Sequence, residues 1–252
     1  MKIKISNLHN IIKRYRNLIL EKMLPASVYN KLKKQRNKKV KFGDLRRLTP
    51  ISRQFGYDRG VPIDRFYIER FIDIHAQDVC GHVLEIKDST YTKMFGGAKV
   101  THCDVLHNIE GNAEATILGD LTKADHIQSE TFDCIILTQT LHIIYDIRAA
   151  LSNLYRVLKT GGVLLATFPG ISQVVKGVGD NDYNWAFTIQ SAQLLFEEYF
   201  GRSNIYVESH GNVLAAIAFL HGIAQEELTK EELLYQDDEY QVVITVRAIK
   251  KA

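Results

Sequence analysis

No apolar run in this chain reaches the roughly 18 to 20 residues that a bilayer-spanning helix requires, so no membrane span is expected. The opening MKIKISNLHN lacks the apolar core and small-residue cleavage site of a signal peptide, so secretion is not expected and the sequence reads as cytoplasmic. Cysteine is scarce. Cys80, Cys103 and Cys134 are an odd set without metal-ligand spacing, and two of them fall in predicted strands. They read as small core residues in a reducing compartment, and neither a disulfide framework nor a metal site is expected. Internal repeats and low-complexity linkers are missing after residue 55, which sets solenoid and tethered-module architectures aside. Acidic residues are nearly missing from the first 53 positions, where Glu21 and Asp44 stand against 16 Lys and Arg.

What is present is ordinary for a folded domain: 252 residues, 46 % hydrophobic and 24 % charged, enough for one substantial core with an appendage. The net charge of +3 conceals a division, +14 on residues 1–53 and −11 on the remainder. From Ile5 to Leu24 a broad apolar face alternates with Lys13, Arg14, Arg16 and Lys22, the pattern of a basic amphipathic helix that Pro25 stops. The run KLKKQRNKKVK follows over 31–41. Three readings stay open for this arm, taken as residues 1–55: a surface helix with a solvated basic face, peripheral docking of residues 1–41 on an anionic membrane, and nucleic-acid contact. The last ranks lowest, because few aromatics accompany the charge.

The organising stretch is FDCIILTQTLHIIYD, IRAALSNLYRVLKT and GGVLLATF. Its first apolar run reads as a strand buried on both faces. Asp146 caps a helix whose stripe is Ile147, Ala150, Leu151, Leu154, Val157 and Leu158. Lys159 closes that helix and Gly161 or Gly162 ends it, after which Val163–Phe168 is a second strand. Together they predict a right-handed βαβ unit. Other expected strands are His82–Ile86, Lys99–Cys103, Ala113–Leu118, Asn204–Val207 and Gln241–Val246, with helices over Ile63–Ile74, from Thr188 to Phe200, Val213–Ile223 and Glu226–Leu234.

FDCIIL, a polar step, LHII and then RVLKTGG closely resemble the later half of class I S-adenosylmethionine-dependent methyltransferases of the type 11 sort. The turn VLEI-K-D-S-T-Y-T-K-M-F-G is similar to that of methyltransferase domains from glycan-assembly clusters. The resemblance implies a Rossmann-like α/β fold over 56–252, a seven-stranded, mostly parallel sheet with its last strand antiparallel. It also implies S-adenosylmethionine as cofactor and S-adenosylhomocysteine as product. Glu85 matches the family's acidic position. Lys87, Ser89 and Tyr91 stand where a G-x-G-x-G turn is usual, so Lys87, Asp88 and Tyr91 are expected to face the cofactor. Asp104, placed at the end of the second strand, is expected to accept hydrogen bonds from ribose hydroxyls. Asp120 and Leu121 are expected to meet the adenine, and Thr138 to face the same crevice.

Arg59 or Arg65 is expected to hold a carboxylate through its forked donors, of the cofactor or of an acidic substrate, with surface ion pairing as the alternative. Tyr67, with Arg65, suits a substrate wall. Tyr183 and Trp185 lie where the family builds its acceptor pocket, unless Trp185 only seats the next helix. His142 or Asp64 is the candidate base. The expected reaction is O-methylation of a sugar or another small glycan-related acceptor. A non-catalytic cofactor-binding protein and an RNA methyltransferase or RNA-binding module are the alternatives.

Overall fold

The structure, a computed structural model, describes residues 22–28, 41–175 and 183–251. The chain divides into two units, Met1–Leu48 and Thr49–Ala252. In the first, Lys22 and Met23 are helical, the helix breaks at Leu24 and Pro25, and a 3-10 turn spans Gly43–Leu45. Most of the expected basic arm, including nearly all of Ile5–Leu24 and of the run over 31–41, lies outside the described residues.

The second unit is built on one seven-stranded sheet. Its strands are β1 (Gly81–Ile86), β2 (Val100–His107), β3 (Ile117–Leu118), β4 (Phe132–Thr138), β5 (Leu158–Pro169), β6 (Ile205–His210) and β7 (Val243–Ile249), in the order β3-β2-β1-β4-β5-β7-β6. β7 runs antiparallel to both neighbours, and the other pairs are parallel. This is the Rossmann-like α/β architecture expected from the sequence.

Helices cover both faces. The helices are α1 (Ile63–Ile74), α2 (Ile147–Val157), α3 (Ile189–Phe200) and α4 (Val213–Leu220), with α1 and α4 on one face and α2 and α3 on the other. A short α5 (Lys230–Leu234) precedes β7. The period of two along each strand separates the cores. In β4, Ile135 and Leu137 pack toward α2 and α3, whereas Cys134 and Ile136 pack toward α1 and α4. That division explains why FDCIIL reads as a continuous apolar run: both faces of the strand are buried.

α2 starts where the sequence places it, with Asp146 Oδ1 accepting the N–H of Ala149 at 3.0 Å. Its buried positions are Ala150, Leu151, Leu154 and Val157. Its end differs from expectation. Leu158 is already extended and begins β5, so Lys159 is in the strand, and Gly161, at φ +85°, allows a bulge rather than closing the helix. The β4 and β5 register slips between Phe132 and Cys134 for that reason.

Other boundaries also move. β2 continues to His107 because Leu106 and His107 pair with β3, which shrinks to Ile117–Leu118. β6 and β7 both extend further toward the carboxyl end than expected. The acidic helix divides into a turn at Gln225–Glu227 and α5, because the Thr229 side chain caps a new start by accepting the N–H of Glu232. Between β1 and β2 there is only a short π-type turn over Thr92–Gly96 and a 3-10 turn, as the dozen intervening residues dictate.

Candidate active site

Strand order reverses between β1 and β4, and a crevice opens where the loops after their carboxyl ends diverge. A cavity of about 720 Å³ occupies it, inside the range of small-molecule sites. Lys87, Asp88 and Tyr91 line it from the loop after β1, and Asp120 and Leu121 from the loop after β3. Thr138 and Gln139 line it from the end of β4. Lys87 and Tyr91 therefore border the space without filling it.

The loop after β1 is held from beneath. Glu85, 2 % exposed, accepts the N–H of Tyr91 on one oxygen at 3.0 Å and that of Thr92 on the other at 2.8 Å. Burial raises the pKa of its carboxyl group, and these hydrogen bonds offset part of the rise. Asp88 accepts the N–H of Thr90 at 3.0 Å, and Glu114 holds the Ser89 hydroxyl at 2.9 Å. Lys87 takes φ +79°, the left-handed conformation that a glycine adopts freely. The missing glycine is thus replaced by a strained lysine in a glycine-like backbone conformation.

Four sequence expectations are corrected. Asp104 is in the middle of β2 and does not line the cavity. Its carboxylate is engaged by His82 Nε2 at 2.7 Å and the Thr116 hydroxyl at 2.6 Å. Burial opposes its ionisation, but those partners outweigh it and hold the carboxyl below the usual range. His107 and Asn108 take the position beside the crevice instead. Arg59 is committed to Glu227 through two hydrogen bonds of 2.8 and 2.6 Å and is also away from the cavity. Tyr67 is buried, stacks on His210 and donates its hydroxyl to the Leu233 carbonyl at 3.0 Å, so it is a core residue. Trp185 donates to the Ile144 carbonyl at 2.9 Å and stacks on Tyr145 outside both cavities. Asp120 does border the cavity, but its two oxygens accept from the backbone and hydroxyl of Thr122.

A second cavity of about 160 Å³ adjoins the first. Tyr57, Arg65, Gln139 and Tyr183 line both and form the partition. Four side-chain atoms on the smaller cavity's residues are buried without a hydrogen-bond partner: Asp64 Oδ1, Arg65 Nε, Gln139 Nε2 and His142 Nδ1. Such orphans are rare in folded proteins and call for a ligand or water. Gln139 is also strained, at φ +46°, which aims its side chain from the end of β4 into the partition.

Electrostatics distinguish the two candidate bases. Burial lowers the pKa of His142 to about 4, so its imidazole is neutral and only weakly basic. Its ring meets Tyr183 edge-on at 4.2 Å. Burial raises the pKa of Asp64, with Arg65, whose Nη2 lies 3.5 Å from its Oδ2, opposing the rise in part. Burial disfavours the Arg65 charge, but Asp64 and Tyr91, whose hydroxyl it reaches at 3.0 Å, more than restore it. Burial thus makes Asp64 a better proton acceptor than an ordinary carboxylate and His142 a poorer one than an ordinary imidazole. Sequence reasoning singled out both residues and set Thr138 to His142 beside the crevice, but it gave Gln139 no role of its own and missed Asn108, whose place depends on where β2 ends.

The sheet with one reversed strand, and a crevice at its switch point, define a class I methyltransferase fold. Residues 80–166 match the family model described as a methyltransferase domain. Solved structures similar to this chain include the YcgJ protein of Bacillus subtilis (14 % identity, TM-score 0.46, covering 74 % of this chain and 99 % of that one). A SAM-dependent methyltransferase from Archaeoglobus fulgidus is also similar (10 % identity, TM-score 0.49, 74 % and 94 % covered). So is phosphoethanolamine N-methyltransferase 2 of Haemonchus contortus (15 % identity, TM-score 0.46, 69 % and 49 % covered). A search of curated proteins finds no match to the sequence. No described helix is long and apolar enough to cross a membrane.

Proposed function

We propose that this protein transfers the methyl group of S-adenosylmethionine to a hydroxyl oxygen of a small polar acceptor, a sugar or related glycan intermediate, seated in the smaller cavity. The observation that carries the reading is the set of four unpartnered polar atoms on that cavity's residues. Arg65 Nε and Gln139 Nε2 are donors, and Asp64 Oδ1 is an acceptor. His142 Nδ1 is either, according to its tautomer. A molecule with several hydroxyl groups, each both donor and acceptor, satisfies such a mixture.

The larger cavity suits the cofactor. Lys87 and Arg65 on its wall offer positive charge to a carboxylate, and Asp88 and Glu69 offer negative charge to an ammonium. When bound, the cofactor supplies an activated methyl group on sulfur. The chain's own residues provide alignment and a dry site. Arg65 and Gln139 in the partition hold the acceptor so that its oxygen faces the larger cavity. Asp64 removes the hydroxyl proton as the oxygen–carbon bond forms and the carbon–sulfur bond breaks, which leaves a neutral thioether, S-adenosylhomocysteine, and a protonated carboxyl. Neutral His142 positions the acceptor through a hydrogen bond.

The test is titration calorimetry with S-adenosylhomocysteine, followed by mass spectrometry of a panel of glycosides incubated with the cofactor. A product 14 mass units heavier that carries an O-methyl group is expected (one CH₂ added). Absence of S-adenosylhomocysteine binding defeats the reading, as does methylation confined to nitrogen acceptors.

A further inference from the structure

We propose that His82, His102 and Asp104 form a binding site for a divalent transition-metal ion, zinc by preference, on the β1–β2 face away from the methyl-transfer crevice. The register creates the site. His82 and His102 are direct partners across the parallel pair of strands, and Asp104 lies two residues beyond His102, hence on the same face. Each of the three offers one ligand atom, and these atoms all lie within 4.8 Å of one another. Asp104 is reached by His82 Nε2 at 2.7 Å and by His102 Nε2 at 3.5 Å, on different carboxylate oxygens.

Zinc binds imidazole nitrogen and carboxylate oxygen at about 2.0–2.2 Å, which sets tetrahedral ligands roughly 3.3 Å apart. The two separations straddle that spacing, so small side-chain rotations bring the three ligand atoms onto one ion. The site is also oriented from behind. The Thr116 hydroxyl donates to Asp104 at 2.6 Å, and the His82 ring rests edge-on against buried Phe132 at 4.8 Å. His102 is 63 % exposed and free to swing onto the ion, while the outer side stays open for water. Two imidazoles with one carboxylate favour zinc over magnesium or calcium, which take oxygen ligands. The ion would staple β1 to β2 near their amino ends, whereas the cofactor cavity borders Glu85, Ile86, Leu106 and His107 near their carboxyl ends.

The full chain, stripped with a chelator, is titrated with zinc chloride by calorimetry and with cobalt chloride by visible absorption. One equivalent is expected to bind, with His102→Ala weakening affinity at least tenfold and Thr116→Val by a smaller factor. His102 is exposed, so its removal spares the fold, and thermal melting of each metal-free variant verifies this. Equal zinc affinity in wild type and both variants places the ion elsewhere in the chain and overturns the proposal. So does absence of binding above that of the His82→Ala/His102→Ala double variant. S-adenosylhomocysteine affinity is expected to be the same with and without zinc, and a zinc requirement for it would also overturn the assignment.

Discussion

Glu85 accepts the backbone N–H of Thr92 at 2.8 Å from a side chain only 2 % exposed. An acid at the end of β1 therefore shapes the cofactor loop from below. Replacing Glu85 with Gln removes one acceptor and leaves an N–H group of the loop unpaired, at a cost of about 1–3 kcal/mol. Urea unfolding is expected to show that loss, and calorimetry a weaker affinity for S-adenosylhomocysteine.

Lys87 gives the opposite result. Its left-handed backbone costs a non-glycine residue about 1–2 kcal/mol, part of which glycine returns through its greater freedom when unfolded. Lys87→Gly is expected to stabilise the protein by about 0.5–1 kcal/mol, seen as a melting point higher by about 1–4 °C. Lys87→Ala gains nothing, because alanine meets the same steric barrier.

Asp64→Asn tests the proton acceptor. It keeps the side chain's shape and is expected to lower kcat by about 10²- to 10⁴-fold, with S-adenosylhomocysteine affinity within about twofold of wild type. Because burial raises the pKa of Asp64, the acidic limb of the wild-type rate profile is expected above the ordinary carboxylate range, with activity rising as the group deprotonates. An undiminished kcat in the variant would remove Asp64 from the mechanism.

His142 ties stability to pH. The unfolded chain binds a proton near the ordinary 6.5, whereas the folded protein holds out until about 4. Between those values the unfolded state carries more protons, so acidification weakens the fold as pH falls, by up to about 3 kcal/mol. His142→Gln removes the titration. Urea midpoints measured from pH 7 to 4 are expected to fall more steeply for wild type than for the variant.

Arg59→Ala is expected to leave S-adenosylhomocysteine affinity unchanged, since that guanidinium serves Glu227 and not the cavity. A tenfold loss by calorimetry would return Arg59 to the cofactor site.

Local pattern carries a good share of this fold. The apolar run of β4, the Asp146 cap and the stripe of α2 lie within one short segment, and the βαβ unit follows from them. What the sequence conceals depends on distant pairing. An acid after the strand-like Lys99–Cys103 reads as the end of a strand, but Asp104 stays inside β2 because the pairing with β1 runs on to Leu106 and Leu106 and His107 pair with β3. Arg59 finds its partner 168 positions away, and the Tyr67 hydroxyl finds its own 166 away. Asp64 and His142 stand out individually as titratable groups near turns. That they border one small cavity follows from α1 packing beside the end of β4, and no local spacing encodes that.

The place of β7 has a consequence for how the chain matures. It is the sole sheet neighbour of β6 and the outer neighbour of β5. During synthesis, residues 205–210 therefore wait unpaired until 243–249 leave the ribosome, and β5 meanwhile presents a bare rim of amide and carbonyl groups. Trimming those seven residues from a recombinant version would cut a seam out of the protein's interior, and the product would collect as aggregate.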